Sequence, residues 1–442
     1  MLLPSFTQYY AQNGINGSMI KFIHRIRLRI QDYFIANGWA RLSSSARYFL
    51  SCAGLQRSRQ LEFLADRCVA FEAPPSMVTR GLKLSKKSTS RLVSASTHDK
   101  NKIELNYSII AKPHIGDGER GILVVSFERE LLKIVSSPYF EAIENKYAIA
   151  FIPSWQPFHS EAFFGLASRA TRDYFVLAST RNDAKHLSAF GPLANYVPLS
   201  AASWVNKDLY SDPLPFDQRD IDIVMLANFS IYKRHWRLFE ALRDIPHSRK
   251  VLLMGVPMDG RDDQTLMKEA GLFGVQDRFE ILQNAPDDVV VNRIRRSKLF
   301  AALSLREGSF VAVAEALIAG VPVALFSDAL IGTKSLLSSI NGFFLDRRKQ
   351  LAHQLEDAIS ATSSLDPKSI SQSLPDARMS SQLLNEMLRE HALQQGQPWT
   401  QDLKPFFAKR FWFYYFDRDL EHVFSKEHEE FASEFQLIVR RM

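Results

Sequence analysis

Residues 304–326 read SLREGSFVAVAEALIAGVPVALF, and this stretch decides the architecture of the second half of the chain. The apolar run 298–304 predicts a strand that ends at a turn holding Arg306, Glu307 and Gly308. A helix is expected to start near Phe310 and to end at Gly320, with Val-Pro and a new apolar strand behind it. Ligands of open α/β sheets bind beyond the carboxyl ends of the strands, so the turn lies where a site belongs. Gly308 lets a ligand approach the backbone, and the free N–H groups of Ser309 and Phe310 at the helix start can receive phosphate oxygens. Glu307 and Glu315 supply acceptor-only carboxylates suited to hydroxyl-rich ligands. The plain alternative is a solvated glutamate in the turn and a snorkelling one on the helix. Glu315 is the more telling, because it lies inside the apolar run 311–318, where a buried charge needs a partner.

A second signal lies upstream, in ANFSIYKRHWRLFEAL at 227–242. A strand ends at Asn228, and a short loop brings Lys233, Arg234 and His235 to the start of a helix. Cations beside free helix N–H groups repel one another unless an anion lies between them, which points to a pyrophosphate. Read alone, the segment is equally a solvated basic turn. The two segments at strand ends of one lobe favour a diphosphate-linked ligand.

Around these segments the pattern is regular. IDIVMLAN (221–228), KVLLMGV (250–256), RFEIL (278–282) and VPVALFS (321–327) are strand candidates, with helical stretches at 235–244, 286–296 and 310–319. An earlier set comprises GILVVSF (121–127), YAIAFIP (147–153), YFVLAST (174–180) and ANYVPLS (194–200). Strands alternating with helices predict parallel sheets covered on both faces. The proline-containing SDPLPFD (211–217) is the expected hinge. The resulting division is a helical or irregular basic extension with a Ser-rich linker (1–117), a first, acceptor lobe (118–210), a second, donor lobe (218–396) and an aromatic, helical tail packed back on the lobes (397–442).

A chain of 442 residues can build two cores, and its 46% hydrophobic and 23% charged content is that of a globular protein. With only Cys52 and Cys68, neither a disulfide framework nor a thiolate metal site is expected. No signal peptide and no apolar run of about 20 residues is found, so a cytoplasmic location is expected. The formal charge of +7 is concentrated in residues 1–60, where eight Lys or Arg face Asp32 alone. IKFIHRIRLRIQDYFI within that segment reads as an amphipathic helix, either packed on the body with its arginines in solvent or resting on an anionic membrane through residues 19–42. No recognition motif accompanies the charge, so nucleic acid is not an expected partner.

Here the chain resembles a known group. Glu307, Glu315, Ala316 and Ala319-Gly320-Val321-Pro322-Val323 reproduce the signature of the donor lobe of retaining glycosyltransferases of the two-lobed GT-B fold. That large family includes sucrose synthase and bacterial mannosyltransferases. The resemblance covers residues 219–346 and, less closely, 120–206. It implies an α/β fold of two Rossmann-like lobes facing a cleft, with a nucleoside-diphosphate sugar as co-substrate and neither cofactor nor metal. Glu307 would touch the transferred sugar, and Glu315 the ribose. Gly308, Ser309 and Phe310 would line sugar and phosphate, and Lys233, helped by Arg234, would hold phosphate. Asn228 stands where the family often has an arginine, and Phe310 where a second glycine is common. Gly255 opens a loop that borders the nucleotide, and Asn284 and Ala285 lie at the position of the base edge. In FIPSWQPFHSEAFF (151–164), His159 is the residue set against the sugar's polar face by analogy, its alternative being a structural role. The acceptor is a glycan, a lipid-linked sugar or a small molecule. The rivals are a nucleotide-sugar-binding protein without transfer activity and another two-lobed sugar enzyme such as an epimerase. A dehydrogenase is disfavoured, because neither lobe opens with Gly-x-Gly-x-x-Gly.

Overall fold

The computed structural model describes residues 103–439 except 117, 155–160, 180, 211 and 411, together with 19, 22–26, 28 and 29. Two α/β lobes, each built on its own sheet, face one another across a cleft.

Strand β1 (Ile103–Leu105) precedes the first lobe's sheet, which contains β2 (Ser108–Lys112), β3 (Gly121–Ser126), β4 (Tyr147–Ile152), β5 (Tyr174–Leu177) and β6 (Ala194–Val197) in sequential order. β3 to β6 are parallel, and β2 runs antiparallel on the edge. All residues of β3 and β4 are buried, which is why they read as unbroken apolar runs.

The second lobe comprises β7 (Ile221–Leu226), β8 (Val251–Gly255), β9 (Glu280–Gln283), β10 (Ser297–Ala302), β11 (Arg306–Glu307), β12 (Val323–Phe326), β13 (Leu330–Ile331) and β14 (Gly342–Leu345). Six of these form a parallel sheet in the order β14-β12-β10-β7-β8-β9, while β11 and β13 pair separately at its upper end. Val224, Leu253, Phe300, Val313 and Leu325 share one core across this sheet. Gly320 ends the helix Val311–Ile318 with φ +72°, and a Cβ there would come within 2.6 Å of Pro213 and of the Pro367 carbonyl. Only glycine fits that corner.

Three expected boundaries are corrected. The span 1–117 is not wholly an extension: residues 103–112 belong to the strands of the first lobe. The donor lobe does not run to 396. The helix Ala377–Gln394 returns to the first lobe, where Leu384 and Leu388 join a core with Val124, Ala150 and Leu177. The tail is not simply helical either. It opens with an antiparallel hairpin of β15 (Phe406–Lys409) and β16 (Trp412–Tyr415), continues as the helix Ser425–Phe435, and ends in β17 (Leu437–Val439) against β1. Alternation of large aromatics across two short strands buries one face of the hairpin: Phe406 stacks on Trp204 with centroids 4.4 Å apart, and the Tyr415 hydroxyl donates to the Ile110 carbonyl at 2.6 Å.

The described part of the basic N-terminal segment is helical. Leu28 enters the second lobe's core and Arg29 pairs with Glu240 at 2.6 Å, while Met19, Phe22, Ile23 and Ile26 are exposed. Among the described residues, no helix is long and apolar enough to cross a membrane.

Candidate functional site

The cleft between the lobes encloses about 1010 Å³ and is lined by both sheets' upper ends, the crossover 201–210 and the C-terminal hairpin. Glu307 reaches it because β11 turns the chain away from the end of β10 before the next helix begins. That helix, Val311–Ile318, follows Phe310 without a side-chain cap, so its first N–H groups lack a side-chain acceptor. Gly308, Ser309 and Phe310 line the cleft beside them.

Lys233 ends the short 3₁₀ turn Ile231–Lys233, and its Nζ is paired with the Glu307 carboxylate. Both side chains are nearly enclosed, at 7% and 8% exposure. Burial pulls the Lys233 pKa below its usual value, and the Glu307 charge opposes that shift. The ammonium also lies 3.9 Å from the centre of the Phe310 ring. One Glu307 oxygen, Oε1, is buried without a hydrogen-bond partner. A buried acceptor of this kind is costly unless something donates to it.

Glu315 faces the cleft one helical stretch further on. Its carboxyl pKa is pushed up to about 7, first by burial, with Asp287 acting in the same direction. A hydrogen bond from the Tyr210 hydroxyl and the charge of Arg410 partly counter this. Burial, with Glu315 adding to it, holds Tyr210 well above the usual phenol value. At neutral pH Glu315 therefore stands close to half ionised while Tyr210 keeps its proton, and a donor group arriving at Glu315 would favour the charged form.

The remaining expected residues divide. Asn228 lines the cleft and shapes the loop: its Oδ1 accepts from the Ser230 N–H at 3.2 Å and its Nδ2 donates to the Tyr232 hydroxyl at 3.3 Å. Gly255 also lines the cleft, and a Cβ there would lie 2.0 Å from the Ala227 carbonyl oxygen, so the close approach of β8 to the end of β7 requires glycine. Arg234 is a correction. It adopts φ 62° at the head of the next helix, its guanidinium donates to the Leu303 carbonyl at 3.0 Å and packs over Phe326, and it is only 2% exposed. The left-handed backbone turns its side chain into the core, away from any phosphate in the cleft. Asn284 has φ 56° and gives its N–H to the Gly255 carbonyl at 2.9 Å, while its neighbour Ala285 lines the cleft. His159 lies outside the described residues.

Several lining residues were not anticipated. From the first lobe come Tyr107, Phe127, Glu128 and Ser154; from the hairpin come Lys409, Arg410 and Trp412. Arg410 donates to the Ala285 carbonyl and pairs with Asp287, which also takes Lys409 at 2.8 Å. The signal in the sequence was FAKRFWFYYF (407–416), two aromatic runs separated by polar residues. Among the described residues, no group of three or more His, Cys, Asp or Glu could hold a metal ion.

With this geometry in place, comparison with known proteins is specific for one part of the chain. Residues 206–369 match the family described as Glycosyl transferases group 1. That span contains the donor lobe's whole sheet and every second-lobe residue discussed above. No curated protein matches the chain. Among solved structures, HepE of Anabaena in complex with UDP is 15% identical with TM-score 0.48, covering 78% of this chain and 96% of that one. The lipopolysaccharide outer core galactosyltransferase WaaB is 15% identical with TM-score 0.46, over 70% and 82%. Sucrose-phosphate synthase from Thermosynechococcus elongatus is 13% identical with TM-score 0.45, over 74% and 81%. The two-lobed Rossmann-like architecture is of the GT-B type.

Proposed function

We propose that the chain is a glycosyltransferase that moves a sugar from a nucleoside diphosphate to an acceptor hydroxyl in the cleft, with retention of anomeric configuration. The observation that carries this reading is the enclosed Lys233–Glu307 pair with its unpartnered Glu307 Oε1, set beside an uncapped helix start. A diphosphate would lie between Lys233 and the N–H groups that follow Ser309, where cation and helix dipole act together. The open oxygen of Glu307 would accept from a hydroxyl of the transferred sugar, and Glu315 from the ribose. Gly255 and Ala285 would border the base, with Asn284 shaping that turn. The bond from the anomeric carbon to the diphosphate oxygen breaks, the acceptor oxygen takes its place, and the acceptor's proton leaves with the diphosphate. Lys233 and the helix start would stabilise the charge that develops. His159 is proposed on the acceptor side. No metal is assigned a part.

One observation favours a second reading, a protein that binds the donor and leaves it intact. Asn228 replaces a cation and Arg234 is turned inward, so Lys233 is left to hold the phosphates largely with backbone N–H groups. A calorimetric screen of UDP, GDP, ADP and their sugar conjugates, repeated with Glu315→Ala, tests the shared part of both readings. Acceptor-dependent release of free nucleotide then separates them. Failure of a folded chain to bind any of the set would overturn both.

Contact of residues 19–42 with an anionic membrane surface belongs to the same proposal. The exposed Met19, Phe22, Ile23 and Ile26, spaced as one helix stripe beside basic residues, support it.

A further inference from the structure

The cleft is lined by residues of the first lobe and the C-terminal hairpin as well as of the second lobe. Ligand cavities run from roughly 300 to 1,000 Å³, and this one encloses about 1010 Å³. The groups assigned to the donor all come from the second lobe. Outside the second lobe the lining includes three aromatic rings from three separate segments, which together form an aromatic wall: Tyr107 between β1 and β2, Phe127 at the end of β3, and Trp412 on β16. Tyr107 lies 5.1 Å from Phe127, edge to face, and 5.1 Å from Trp412 at 52°. All three are half-buried, with part of each still open to solvent.

Phe127 is held there at a cost. Its φ is 71° with ψ 141°, a region that L side chains rarely enter. The strain is fixed by its own N–H, which donates to the Ile152 carbonyl at 3.1 Å, and by its carbonyl, which starts the following helix. Next to the rings stand polar groups. Glu128 accepts from the Ser154 N–H at 3.0 Å and from the Ser154 hydroxyl, and Arg129 is exposed at the rim.

We propose that this wall is an acceptor subsite and that its ligand is a pyranose ring, which makes the acceptor a glycan or glycoside. The inference rests on the glycosyltransferase reading for the word acceptor, while the wall itself stands on its own geometry. A pyranose has a flat C–H face that packs on aromatic rings and hydroxyls at its edge that bond to carboxylates and serines. An alkyl chain would use the rings but make no hydrogen bond to Glu128 or Ser154, whose own pairing leaves lone pairs for sugar hydroxyls. A free phosphate would meet the carboxylate of Glu128 unfavourably. Tyr107, Phe127 and Trp412 all lie outside the matched span 206–369, and Trp412 comes from the C-terminal hairpin.

The test is saturation-transfer NMR on the full chain with methyl α- and β-glucosides, galactosides and mannosides and their β-linked disaccharides, with and without UDP, GDP or ADP. At least one glycoside should bind the wild type through its ring C–H protons. Trp412→Ala should weaken it about tenfold and Trp412→Phe by only a few-fold, with melting temperature and nucleotide affinity unchanged. Should Trp412→Ala fail to fold, Trp412→Phe and Tyr107→Leu carry the comparison. Equal affinity in folded variants, no binding across the panel, or affinity that follows alkyl length in an octyl glycoside regardless of the sugar would overturn the proposal. Nucleotide binding without glycoside binding sinks the subsite alone. Glycoside binding without any nucleotide binding sinks the transferase reading and leaves the subsite standing.

Discussion

Lys409 lies 2.8 Å from Asp287, so an ion pair joins the C-terminal hairpin to the second lobe at the cleft. The hairpin's other end is anchored in the first lobe, where Phe406 stacks on Trp204. It is thus a strap between two bodies that meet around a ligand cavity. Both Lys409 and Asp287 retain substantial exposure, which limits the pair to about 0.2–1 kcal/mol. Asp287→Asn should leave global stability within about 1 kcal/mol of wild type and raise hydrogen exchange selectively in residues 406–415. Uniformly faster exchange would mean that the contact supports the fold instead.

The Lys233–Glu307 pair behaves differently because it is enclosed. Lys233→Met leaves a buried carboxylate without its partner and should cost about 3–5 kcal/mol in urea unfolding. Lys233→Met combined with Glu307→Gln should recover most of that loss. Nucleotide binding should stay impaired in the double variant, which separates support of the fold from contact with ligand.

Glu315 gives the cleft a pH response near neutrality. Its carboxyl is raised from 4.5 to about 7, and only the ionised form is acceptor-only toward hydroxyls. Nucleotide affinity should therefore strengthen as pH rises from 6 to 8, after correction for the ligand's own titration, and Glu315→Gln should remove that slope. In stability the sign is opposite. The folded state holds this proton more tightly than the unfolded one, so the contribution is full below 4.5 and is lost as pH rises toward 7.

His235 supplies acid sensitivity. It is buried with neither ring nitrogen hydrogen-bonded, and burial, followed by the charges of Arg261 and Lys233, pushes its pKa from 6.5 down to about 3. Between those values the unfolded chain binds the proton and the folded chain does not. Its contribution is full above 6.5 and is lost as pH falls toward 3, by about 1.4 kcal/mol per unit. His235→Leu should flatten this part of the stability profile measured by denaturant titration. An unchanged acid limb would place the sensitivity elsewhere.

The exposed stripe Met19, Phe22, Ile23 and Ile26 predicts flotation with vesicles rich in phosphatidylserine at low salt. Phe22→Ser with Ile26→Ser should abolish flotation, and neutral vesicles should fail to lift the wild type. Flotation that survives both substitutions would assign the contact to another surface.

The second lobe was legible because a strand of a doubly covered parallel sheet is apolar along its whole length and the helices Asp263–Phe273 and Val311–Ile318 end at glycine. Residues 304–326 show both features, and the strand, turn, helix and Gly320 fall where the pattern put them. Glu315 was visible as a charge inside the apolar run 311–318, and Glu307 as a carboxylate in the turn at a strand's carboxyl end. Arg234 was misread because its direction depends on a left-handed backbone at a residue other than glycine, which leaves no mark in composition. The hairpin was missed because its apolar faces are completed by Trp204 and Ile110, far away along the chain. Tyr210, the partner of Glu315, lies on the crossover, and nothing in its sequence neighbourhood marks that pairing.

The return of residues 377–439 to the first lobe has a consequence for the order of assembly. The donor lobe is continuous in sequence from β7 to the helix Pro367–Gln372, so its contacts are available as soon as that span exists. The first lobe is interrupted: Leu384, Leu388 and Phe406 complete one face of its sheet, Phe431 and Phe435 the other, and β17 pairs with β1. During synthesis the half made first must wait for the half made last, exposing β3 and β4 to the ribosome's surroundings until the tail arrives. A premature stop near residue 400 would therefore do its damage at the opposite end of the chain, in the earliest-made strands.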